Sequence, residues 1–186
     1  MAAYHAVLVH FPIALLMTAT LAILVRAVSA GPLARAIDRA LVPLLAVGLL
    51  SGLVAYVVGL LVWPWEAISS TPLGRNHMLL ATWTLAYWSL LLATRWIQGE
   101  AVWDGAMRWI MAGLAILGSA LLGITGTLGG HLVGIYTEVS EALRLLGWEV
   151  YTTYYVPNVT LAVILVAAVV LAAIGILGRH RAPRQH

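Results

Sequence analysis

The chain has 186 residues, 62% of them hydrophobic and only 9% charged, with a formal net charge of +3. Soluble domains run nearer half apolar and a quarter charged. This composition therefore excludes an ordinary soluble domain, and equally disorder, a coiled coil or a nucleic-acid reader, all of which need more charge. Cysteine is absent, which removes disulfides, iron–sulfur clusters, thiolate metal sites and covalently attached c-type haem. All ten basic residues are arginine, so Schiff-base lysine chemistry is excluded as well.

About 115 apolar residues are enough for roughly five spans of 20 to 25 residues each. Hydropathy breaks place them in chain order at about 4–25, 40–62, 75–94, 107–130 and 157–178. The second ends at Trp63-Pro64-Trp65, and the fifth begins at Pro157, a helix-starting residue. The expected fold is an all-α integral membrane protein of one domain, 1–186. Ala27-Val28-Ser29-Ala30 has the look of a signal-peptidase site. The run before it lacks a basic start and is too long for a signal core, so span one is expected to be retained. The segment 132–156 carries Val139, Ala142, Leu143, Leu145, Leu146 and Trp148 between acidic residues. That pattern predicts a short amphipathic helix on the outer surface, either as a plain cap or as a docking surface.

The connections give the orientation. Arg26, Arg35, Arg39, Arg95, Arg108, Arg179, Arg181 and Arg184 fall on one side if the spans alternate. The other side holds only Arg75 and Arg144, against Glu66, Glu138, Glu141 and Glu149. The positive-inside rule then puts the N-terminus outside and the C-terminus in the cytoplasm. Tryptophans at the span ends form the expected aromatic belt. No sequence repeat stands out strongly enough to argue two related halves.

Ionisable groups inside a membrane are costly and generally have a task. The predicted spans hold no Asp, Glu or Lys, which leaves histidine. His180 and His186 belong to the arginine-rich tail and read as solvated. His5, His10, His77 and His131 come from three separate spans, and the derived topology gathers all four at the outer face. Any one of them could simply bond to a neighbouring helix; four at one level point to a shared haem or metal site. Neutral imidazole suits haem iron, copper and zinc. His5 and His10 are about 140° apart around a helix, so they do not converge on one ion. Slots for a flat ring could come from Gly48, Ser51, Gly52 and Gly59 on span two, and from Gly118, Gly123, Gly126, Gly129 and Gly130 on span four. Arg75 is placed to pair with a haem propionate or to anchor at the headgroups.

His5-Ala6-Val7-Leu8-Val9-His10-Phe11-Pro12 resembles the His-Pro-x-x-Val-His-Phe-Pro opening of a bacterial membrane family, the domain of unknown function 2231. Ser51-Gly52-Leu53-Val54-Ala55 with Gly59, Arg75-Asn76-His77, and Gly129-Gly130-His131-Leu132-Val133 resemble its later motifs. Ala6 stands where the family has proline, and His131 occupies a variable position of the glycine motif. The resemblance covers about residues 5 to 136 and implies a four-helix membrane core with histidines near one face.

The expected function is a b-type cytochrome-like electron-transfer subunit of the bacterial inner membrane. It would hold one or two bis-histidine haems b through His5, His10, His77 and His131, with Arg75 beside them. Its expected partners are the lipid bilayer, a periplasmic redox protein such as a c-type cytochrome or dehydrogenase, and quinone or another haem, within a larger membrane complex. The alternatives are a copper or zinc site on the same histidines and a scaffold subunit whose histidines only pack. No nucleophile–base constellation, phosphate loop or intramembrane carboxylate pair points to an enzyme acting alone.

Overall fold

The computed structural model describes residues 2–154, together with 158–160, 162, 163, 165–167, 169, 170 and 173. The predicted fifth span falls largely outside the described residues, as do His180 and His186. Among the described residues all regular structure is helical. The elements are α1 (Ala2–Leu8), α2 (His10–Val28), α3 (Pro32–Arg39), α4 (Leu41–Val62), α5 (Trp65–Ser69), α6 (Pro72–Gln98), a 3-10 turn (Gly99–Trp103), α7 (Met107–Leu132) and α8 (Glu138–Leu145).

Local chemistry sets these boundaries. Pro12 has no N–H to give Leu8, and the helix breaks at Val9 between α1 and α2. Pro32 and Pro72 open α3 and α6 at positions where a missing N–H costs nothing. Thr71 caps α6 by accepting a 3.1 Å bond from the Gly74 N–H. Gly99, at φ 55°, ends α6 in a conformation that disfavours any residue with a Cβ.

Helix α2 packs on α4 and α7, and α6 packs on α7 and α4. The four long helices therefore form a closed ring. Leu16, Ile23, Leu45, Trp88, Leu91 and Met111 fill its centre. Hydroxyl pairs tie neighbours together, with Thr20 to Ser119 at 2.6 Å and Thr84 to Thr125 at 2.9 Å. The outside is apolar too: Leu21, Leu50, Leu61, Leu90 and Ile116 are all more than half exposed. In water such a surface would aggregate; against lipid it is the favourable one. Three stretches are long and apolar enough to cross a membrane, Tyr4–Val28, Pro32–Val62 and Met107–Leu132. Helix α6 has the length, at 27 residues, but Arg75, Asn76, His77, Arg95 and Gln98 interrupt its apolar run.

One end of the bundle holds a buried ion network. Asp38, 1% exposed, accepts 3.2 and 2.9 Å bonds from the Arg95 guanidinium and a 3.0 Å bond from Trp103 Nε1. Arg26 lies 3.9 Å from the same carboxylate and bonds Glu100 at 3.3 Å. Both guanidinium groups also lie against the Trp103 ring, at 5.3 and 5.9 Å from its centroid. Arg26 and Arg95 are thus internal cross-links between α2, α3, α6 and the 3-10 turn, whereas hydropathy alone assigns them to solvated connections.

Candidate functional site

The opposite end holds the histidines. The four do not converge on one point; two of them form a matched pair. His5, on α1, places Nδ1 3.0 Å from the Ala55 carbonyl of α4. Its ring lies on Gly59, where an added Cβ would come within 2.8 Å of the His5 Cε1. His77, on α6, places Nδ1 3.1 Å from the Thr125 carbonyl of α7. Its ring lies on Gly129, where a Cβ would come within 2.9 Å of the His77 Cε1. In each case the accepting carbonyl stands four residues before the glycine. A carbonyl only accepts, so Nδ1 must carry the proton in both rings. In a neutral imidazole that leaves Nε2 with its lone pair.

The correspondence continues along the helices. Eleven residues after His5, Leu16 packs on Gly48, which lies eleven before Gly59. Eleven residues after His77, Trp88 packs on Gly118, which lies eleven before Gly129. Exchanging α2 with α6 and α4 with α7 leaves the pattern of helix contacts unchanged. The ring is two helical hairpins with matched spacings, each supplying one histidine and one glycine-notched helix.

The other candidate residues are elsewhere. His10 is exposed, and its Nδ1 bonds the Ala6 carbonyl of its own helical segment at 2.7 Å. His131, 7% exposed, shares a 2.8 Å hydrogen bond between Nδ1 and Tyr151 Oη. Tyr136 and Tyr151 meet its ring edge-on. Arg75 is exposed and stacks over the Tyr154 ring at 5.4 Å. The segment after α7 folds onto the same end. Leu143, Trp148 and Val150 pack with Leu73 and Leu128. Asn76 donates a 2.6 Å bond to the Thr153 carbonyl, and Tyr154 donates to Ser70. The amphipathic helix expected there is α8, and it is part of a cap packed on α6 and α7. Among the described residues no group of three His, Cys, Asp or Glu is close enough to hold a metal ion.

Comparison with known proteins places this geometry in a family. The chain matches the family described as "Predicted membrane protein (DUF2231)" over residues 2–139. The match covers most of the chain and all four helices of the ring, and the chain belongs to that family. It is a membrane protein. No curated protein and no solved structure matches it.

Proposed function

We propose that this member of the DUF2231 family is a b-type cytochrome-like electron-transfer subunit that holds haem b between His5 and His77. One observation carries the reading: two histidines in equivalent positions, each with its Nδ1 proton committed to a backbone carbonyl and its ring seated on a glycine. A carbonyl acceptor on one ring nitrogen fixes the tautomer and raises the basicity of the other, which is how ligating histidines are prepared. The glycines leave room for the imidazole rings themselves, which a Cβ would crowd out of place.

The donor set favours haem over copper or zinc. A haem takes two axial imidazoles, whereas tetrahedral or tetragonal ions ask for three or four donors. The His5–His77 pair accounts for one haem. His5 and His77 would hold the haem, which when bound would supply one-electron exchange, and ligation by both would suit electron transfer better than oxygen binding. The chain itself fixes both rings, keeps both Nε2 atoms unprotonated and surrounds them with apolar helices. Arg75, two residues before His77, is suited to a propionate carboxylate.

The proposed topology has five spans in a bacterial inner membrane, with the N-terminus outside, as the arginine distribution indicates. The histidine pair is then at the periplasmic end. There a c-type cytochrome or dehydrogenase can exchange electrons with it, and quinone or another haem is the second partner in a larger complex. The test is the reduced-minus-oxidised visible spectrum with a pyridine haemochrome assay. The expected result is a b-type band at one haem per chain, lost in His5→Ala and in His77→Ala and kept in His10→Ala. A chain that stays colourless after haem reconstitution would overturn the reading and leave a zinc site or the scaffold role.

A further inference from the structure

The fourth histidine belongs to a different site. A cleft of about 320 Å³ opens between the end of α7 and the cap, lined by His131, Tyr136, Trp148 and Tyr151 among others. His131 and Trp148 are 7% and 6% exposed, and each holds a buried ring nitrogen, Nε2 and Nε1, with no hydrogen-bond partner among the described residues. Buried polar groups nearly always find partners. Two orphans in the lining of one cleft therefore indicate what its occupant must offer.

The protonation pattern follows from the neighbours. Loss of solvent and the adjacent Tyr136 raise the Tyr151 phenol above its ordinary range, so it keeps its proton at neutral pH. Tyr151 Oη lies 2.8 Å from His131 Nδ1, and in the tautomer in which Nδ1 accepts from it the imidazole proton is on Nε2. Trp148 Nε1 is a donor by constitution. In that tautomer the cleft presents two N–H groups that need acceptors. Its rim carries Glu138, Glu141 and Glu149 against the single Arg144, an excess of negative charge that repels an anion. A cation cannot satisfy N–H donors. What remains is a neutral molecule with acceptor oxygens, flat enough to lie among Tyr136, Trp148 and Tyr151. The exposed Ile135, Val139 and Leu145 beside it provide an apolar approach from the bilayer.

We propose that this cleft binds the head group of a membrane quinone, with carbonyl oxygen accepting from His131 Nε2 and Trp148 Nε1. The proposal deepens the electron-transfer reading by naming one redox partner and rests on it for its role, though the binding itself does not. His131 is two residues from Gly129, the seat of His77, and lies on the opposite face of α7. The two sites are therefore about one helix diameter apart, some 10–12 Å.

Isothermal titration of the full chain in detergent with decylubiquinone tests this, with haem content measured on the same sample. The expected result is saturable one-site binding, about tenfold weaker in Trp148→Phe and in His131→Phe, each lacking one hydrogen bond to the ligand. His10→Ala is expected to bind as the unaltered chain does. Trp148→Phe keeps the ring and the packing, so it stays informative if His131→Phe fails to fold. No saturable binding, or unchanged affinity in Trp148→Phe, overturns the proposal. Quinone binding by a chain that stays haem-free after haem reconstitution would sink the haem reading alone, and haem-loaded chain that ignores quinone would sink this one alone.

Discussion

His5 and His77 stand in the same relation to two different helices: each donates from Nδ1 to a carbonyl, at 3.0 and 3.1 Å, and lies on the glycine one turn further along. This equivalence predicts that Gly59→Ala and Gly129→Ala act alike. The new methyl would come within 2.8 or 2.9 Å of a ring carbon, well inside van der Waals contact. The ring is stiff and pinned by its hydrogen bond, so it must swing off the carbonyl. Each variant is expected to fold, to lose about 1–3 kcal/mol from overpacking, and to shift or weaken the haem band. Visible spectra and thermal unfolding check this, and an effect from one glycine without the other would break the equivalence.

Much of this end of the molecule was legible in the sequence. His5, His77, Gly59 and Gly129 all stand out, because polar and small residues are conspicuous among apolar ones. The correspondence between the two hairpins was not, since it is carried by spacing. Between the matched positions, Leu16 corresponds to Trp88 and Ala55 to Thr125, pairs with no chemical likeness. Pairwise contact made it visible. His131 reads as one more member of the histidine set, yet its partner Tyr151 lies twenty residues on, across a turn that hydropathy does not encode.

Asp38 illustrates the opposite failure. It lies in the connection between the first two spans, where hydropathy singles out no residue, yet three donors converge on its carboxylate. Removing one partner of a buried ion pair strands the other, at about 3–5 kcal/mol. Asp38→Ala is therefore expected to be the most destabilising of a graded series. Arg95→Lys should follow, because an ammonium cannot reproduce the two-point contact. Trp103→Phe, which deletes one hydrogen bond, should cost about 1 kcal/mol. Thermal unfolding in detergent ranks the three, and a flat series would deny the network a structural role.

The glycines of α7 separate packing from propensity. At Gly118 an added Cβ would come within 3.0 Å of both Trp88 and Tyr87. Neither ring is free to move: Trp88 Nε1 bonds the Gly118 carbonyl at 3.2 Å, and Tyr87 Oη bonds the Leu114 carbonyl at 2.7 Å. At Gly123 the added carbon meets nothing. Gly118→Ala is expected to destabilise by about 1–3 kcal/mol, and Gly123→Ala to stabilise by about 0.5–1 kcal/mol through helix propensity. Opposite shifts in melting temperature are the expected outcome.

The proposed orientation can be tested without altering the background, because the chain contains no cysteine. Ser70 is exposed between α5 and α6, at the histidine end. Glu100 is exposed in the 3-10 turn, at the arginine end. With the N-terminus outside, Ser70→Cys should react with a membrane-impermeant maleimide in intact spheroplasts, and Glu100→Cys only after permeabilisation. Glu100 also contacts Arg26 and Arg95, but at 69% exposure its pairs are largely screened, so its loss should be tolerated. The reverse labelling pattern would place His5 and His77 at the cytoplasmic face and remove a periplasmic electron donor from consideration. Because eight of ten arginines fall on one side of the alternating spans, and each resists translocation, the first pattern is the expected one.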